Sequence, residues 1–208
     1  MTGIPHGWRW AAALWLAVWV PAYASTWGWR NFLALCDVAV ILTCLGLWFR
    51  SALLLSSQAL AAIMASLLWA FDVVARLFTG RHVFGGTEYM WDERVPLLVR
   101  LLSLFHLVLP VVLVAALRRT GYDRRGLWLQ IALMVPLLVA SRLLAAGKNL
   151  NFALVDPLLH RQWGPAPLHL LAMLVGTVLV AFVPTHLLLA RLLPGRAGLT
   201  SSASPARR

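Results

Sequence analysis

Six long apolar runs separated by short polar stretches make up this chain: residues 8–25, 32–49, 52–77, 96–117, 127–144 and 168–193. Within each run the apolar residues are continuous and do not alternate, which predicts helices rather than strands. Only helices and closed barrels cross a bilayer, because every backbone N–H and C=O there needs an internal partner. A crossing takes about 20 residues at about 1.5 Å each. The third and sixth runs exceed that and are expected to tilt; the first and fifth are short. The pattern predicts an all-α bundle of six spans, one transmembrane domain over residues 1–193, with a Gly/Ser/Pro/Arg-rich tail over 194–208 that reads as disordered.

Composition identifies the solvent. Of 208 residues, 61% are hydrophobic and 12% charged, with a mean hydropathy of +0.80. A soluble domain carries about 25% charged residues, so too little polar surface remains to cover a globule in water. The net charge of +11 would point to nucleic acid in a soluble protein, but here the basic residues mark the ends of apolar runs. Arg9, Arg50, Arg118, Arg119, Arg124, Arg125, Arg191, Arg196, Arg207 and Arg208 share one side with a single acid, Asp123. Arg30, Arg81, Arg94, Lys148 and Arg161 share the other with Glu88, Asp92, Glu93 and Asp156. The positive-inside rule then places both termini in the cytoplasm. The first run has a rival reading. Arg9, an apolar stretch and Ala22-Tyr23-Ala24 follow the order of a secretory signal peptide. The lone arginine and the tryptophans Trp10, Trp15 and Trp19 favour a retained span.

Ionisable groups within spans are costly and mark sites. Asp37, Asp72, Arg76, Arg100, His106, Arg142 and His169, together with Ser103 and Ser141, all fall in the outer half, about 2 to 15 Å below the interface by helix rise. The inner half offers only Gln58, Thr43, Thr185 and His186 as notable polar groups. The expectation is a polar pocket open to the outside and closed below by apolar packing. Asp72 and Arg76 stand at i,i+4, a spacing that supports pairing. Asp37 needs a partner, with Arg100, Arg142 and His106 the candidates. His106, oriented by Asp37 or Asp72, has the makings of a general base acting on a water or on Ser103. Arg76, Arg100 and Arg142 suit a carboxylate or phosphate. The outer loops 79–95 and 148–167 either cap the pocket or are simply solvated. No cofactor or metal is expected. Cys36 and Cys44 lie about 12 Å apart along a helix, His160 and His169 make a weak metal pair, no lysine lies inside a span, and no nucleotide fingerprint occurs.

Residues 29–37 (WRNFLALCD) and 102–110 (LSLFHLVLP) resemble a family of uncharacterised bacterial membrane-associated proteins, which implies six spans in a bacterial inner membrane. More distantly, the order of elements is similar to the androgen-induced-gene family of six-span lipid hydrolases. Those enzymes act on fatty-acid esters of hydroxy fatty acids through a membrane-embedded Thr and His. His106 with Leu109-Pro110 matches the histidine segment with one residue fewer, and Asp37 matches the acid of the threonine segment. Ala34 stands at the threonine position, so the nucleophile is missing there, and Ser103, Cys36 or Thr43 would have to replace it. The resulting expectation is a lipid or acyl-ester hydrolase-like enzyme with His106, Asp37 and Ser103 in catalysis and Asp72, Arg76, Arg100 and Arg142 in binding. The alternatives are a non-enzymatic binder of an anionic small molecule and a structural membrane subunit. Membrane lipids are the expected partners; nucleic acid is not.

Overall fold

The computed structural model describes residues 3–193, and among them every regular element is a helix. The expected tail lies outside the described residues. The α-helices are α1 (His6–Trp27), α2 (Leu35–Phe49), α3 (Ala52–Thr79), α4 (Leu97–Leu102), α5 (Phe105–Thr120), α6 (Gly126–Leu144), α7 (Ala166–Thr177) and α8 (Val183–Leu192). α4 and α5 continue one another, as do α7 and α8 through a π turn at Val178–Phe182. Four of the resulting rods are long and apolar enough to cross a membrane: Ala52–Thr79, Leu97–Thr120, Gly126–Leu144 and Ala166–Leu192. The chain is therefore a membrane-embedded helical protein.

The two remaining rods differ from the expected spans for local reasons. α1 has 22 residues, but five tryptophans, His6, Arg9 and Pro21 dilute its apolar character. α2 is apolar but has only 15 residues. The start of the expected span is taken up by a 3-10 turn at Trp29–Leu33, after which Ala34 is extended. The first helical amide, that of Leu35, then donates to Asn151 Oδ1 at 2.7 Å, which satisfies one of the orphan donors of a helix start.

α3 is the hub, packed against α2, α5 and α6 and reaching α8. Ser51 caps its start by accepting from Leu54 N at 3.2 Å, and Gly80 ends it in the left-handed conformation at φ 73°. Residues 55–62 of α3 are buried on every side, as a helix enclosed by others requires. One close approach is to α6. A Cβ on Gly126 would lie 2.8 Å from both Ser56 Cβ and Ser57 N, so no larger residue fits.

The end carrying the Arg118–Arg125 turn is not closed by apolar packing alone, which corrects the expectation. Ser57 Oγ donates to Gln130 Oε1 at 2.8 Å, and Gln58 Nε2 donates to Ser57 Oγ at 3.0 Å. All three side chains are fully buried. Gln58 Oε1 and Gln130 Nε2 have no partner among the described residues. Nearby, Ser56 Oγ accepts from Asp123 N at 2.8 Å, and Tyr122 bonds His186 Nδ1 at 2.8 Å.

Candidate functional site

The site residues gather at the opposite end, where α1, α2, α3, α4 and the two long loops meet. Its key feature is the break between α4 and α5. Ser103 Oγ donates back to Val99 O at 3.0 Å, sharing that carbonyl with its own backbone N–H. Such back-bonding by a helical serine bends the helix. The Ser103 carbonyl accepts the His106 backbone N–H at 3.3 Å and also the ring of His106, whose Nδ1 lies 2.9 Å away. A carbonyl can only accept, so Nδ1 carries the proton and Nε2 keeps its lone pair. Nε2 has no hydrogen-bond partner among the described residues, and 8% of His106 remains exposed. The ring stacks on Trp69 at 4.9 Å with an interplanar angle of 5°.

The orientation of His106 thus comes from a backbone carbonyl and an indole, and not from Asp37 or Asp72. Ser103 is equally committed. With its proton directed to Val99 O, it accepts from the Tyr23 hydroxyl at 2.6 Å. The Tyr89 hydroxyl also faces Ser103 and accepts from Trp69 Nε1 at 3.0 Å. Burial pushes the Tyr89 phenol up to about 12, against the Ser103 and Trp69 hydrogen bonds and with help from Cys36 and the Asp37 carboxylate. It stays a protonated donor at ordinary pH. Asp37, 2% exposed, is bound by Asn31 Nδ2 at 2.8 Å and by the Cys36 thiol at 3.7 Å. Neither Arg100, Arg142 nor His106 is its partner, which corrects the expectation. The nearby cation is Lys148, whose Nζ donates to Trp27 O and reaches Asn31 Oδ1 at 3.5 Å.

Asp72 and Arg76 do not pair. Asp72 Oδ1 accepts from Val83 N and Phe84 N, each at 2.7 Å, and Oδ2 from His82 Nδ1 at 2.9 Å and from Thr87 Oγ1. Loop closure by a buried carboxylate thus outweighs the i,i+4 spacing. Arg76 instead donates to Gly80 O and lies over Trp91 at 5.8 Å. Arg100 donates to Met90 O at 3.4 Å, and Arg142 to Ala153 O at 2.7 Å and Gln162 Oε1 at 3.1 Å. Each of the three guanidiniums therefore fastens a loop backbone. The loop over 148–164 is likewise ordered. Asn151 Nδ2 donates to Leu33 O at 2.7 Å and Ser141 Oγ at 2.9 Å. His169 uses both ring nitrogens, on Phe152 O and Trp163 N, which leaves none for a metal beside His160. Asp156 accepts from Leu158 N, Leu159 N, Arg161 N and Trp163 Nε1. These bonds, Leu159 foremost, hold its carboxyl below the usual range.

The sequence reading missed Tyr23, Asn31, Trp69, Tyr89 and Lys148. Scarcity was the available signal: the chain has three tyrosines, and each hydrogen-bonds a side chain. Two surface depressions are apolar, and neither includes Asp37, Ser103 or His106. No family model matches the sequence, and neither does any curated protein or solved structure.

Proposed function

We propose that the protein is a membrane-embedded hydrolase of lipid-like acyl esters, in which His106 Nε2 is the general base. The observation that carries this reading is the tautomer. Nδ1 is bound to a carbonyl, so the free ring nitrogen is the basic one. In the proposed reaction a water attacks the acyl carbonyl carbon while Nε2 takes its proton. The tetrahedral intermediate then collapses, the ester C–O bond breaks, and the imidazolium returns the proton to the leaving alkoxide. Water is the nucleophile in preference to Ser103, whose hydroxyl proton points to Val99 O and away from the ring. The protonated Tyr23 and Tyr89 hydroxyls and the Asp37 carboxylate supply the polar surroundings. The aromatic rings of Trp69, Phe105 and Trp19 supply an apolar wall suited to an acyl substrate.

The same proposal has six spans in a bacterial inner membrane with both termini cytoplasmic. It is supported by the excess of arginine at the Arg118–Arg125 end. A reporter fused at Arg125 and another at residue 160 test the orientation: cytoplasmic activity is expected only at the first. The enzyme is tested by hydrolysis of fatty-acyl and lysolipid esters by detergent-purified protein. His106→Ala, eluting as the same monodisperse species, should lose about 100-fold or more, the range of a general base. Turnover unchanged in that variant would remove His106 from the chemistry.

A further inference from the structure

At the other end of the molecule, Pro110, Val111, Val114, Ala115 and Arg118 line one groove on the surface of α5. They stand at i, i+1, i+4, i+5 and i+8, a single helical stripe about 12 Å long. The groove is apolar along its length and lies on a rod able to cross a membrane, so acyl chains surround it. Val111 at its wall is 67% exposed. Its last residue changes the chemistry. Arg118 is exposed and makes no hydrogen bond or ion pair among the described residues. The only acid in the 118–125 turn is Asp123, and Arg125 holds it at 2.8 Å. No carboxylate of that turn is left for Arg118.

A free guanidinium at the end of an apolar groove complements an amphiphile with an acyl chain and an anionic head. We propose that this groove binds an anionic phospholipid of the surrounding bilayer, its acyl chain along Pro110–Ala115 and its phosphate on Arg118. Zwitterionic lipids fill the same groove but leave the arginine facing a neutral head, so the site discriminates by charge. The proposal is independent of the hydrolase reading, because it uses neither its residues nor its end of the bundle.

The test is native mass spectrometry of the full chain in detergent, with equal amounts of phosphatidylglycerol and phosphatidylcholine of identical acyl chains. Wild type should retain phosphatidylglycerol preferentially. Arg118→Gln should cut that retention about fivefold, the factor expected of one basic group near an anionic headgroup, and leave phosphatidylcholine unchanged. Ala115→Trp, which fills the groove, should reduce both lipids. Arg124→Gln, in the same turn but outside the groove, should match wild type. Thermal unfolding identifies a variant that is merely misfolded; if Ala115→Trp is one, Val111→Trp takes its place. Equal losses for Arg118→Gln and Arg124→Gln would reduce the effect to diffuse charge and overturn the site. Undiminished phosphatidylglycerol binding by a folded groove-filling variant would overturn it as well.

Discussion

Asp72 and Asp37 are carboxylates of nearly equal burial, 1% and 2% exposed, yet their surroundings differ. Asp72 collects four donors, two of them backbone amides of the loop after α3. Asp156 does the same for the loop before α7, with three amides and an indole. Asp37 has one amide side chain and one thiol, a weak donor. Burying a charge is costly unless it is hydrogen-bonded. A fully coordinated carboxylate therefore acts as a fastener, and a sparsely coordinated one is kept at a cost to stability. The difference separates the residues that hold the loops from those that surround His106. It also reassigns Asp72 from ligand binding to architecture.

The comparison is tested most strongly at Asp72. Asp72→Ala strands the Val83 and Phe84 amides and should cost about 3 kcal/mol, as loss of hydrogen bonds to a buried charge implies. Thermal unfolding gives the size, and hydrogen exchange at those two amides shows whether the loop opened. A loss below about 1 kcal/mol would mean that water replaces the carboxylate freely.

A smaller effect is expected where polar groups are buried without charge. Gln130→Leu leaves Ser57 without its acceptor and should cost about 1–2 kcal/mol. The triple change Ser57→Ala, Gln58→Leu, Gln130→Leu removes all partners together and should recover most of that loss. If the triple variant is the less stable, the network contributes more than its unsatisfied atoms take away.

Asp156 sharpens the comparison through pH. Its carboxyl is held below its unfolded value of about 3.9. Its stabilisation is therefore complete above that value and lost as pH falls through the lower folded value. Protection of the Leu158, Leu159 and Arg161 amides, corrected for intrinsic exchange, should hold above pH about 4 and decline below it. Protection that stays constant into strong acid would deny the carboxylate its role.

The smallest stability change belongs to Asp37. Asp37→Asn keeps an oxygen for Asn31 and removes a buried carboxyl with only two donors, so it should shift stability by less than about 1 kcal/mol. If it destabilises as much as Asp72→Ala, Asp37 is a fastener too and the distinction fails.

The sequence by itself determined the helical, membrane-embedded class. Helices and closed barrels both pair every backbone group in a bilayer, and apolar runs this long that do not alternate select helices. It also set the depths of the polar residues by helix rise: Asp37 and Ser103 both lie near Tyr23 and Tyr89, with His106 bonded to Ser103 O. What it left undecided was who bonds to whom. Asp72 turned to loop amides and not to Arg76, the three arginines turned to loop carbonyls, and His106 turned to the carbonyl of Ser103. Those partners come from irregular backbone whose course no periodicity encodes. Likewise, Gly126 looks like any helix-start glycine until α3 lies against it, and Gln130 like a surface residue until Ser57 and Gln58 enclose it. Hydrophobic pattern fixes depth and face, which are properties of one helix. Hydrogen-bond partners depend on short distances between segments far apart in the chain, and only their packing sets those distances.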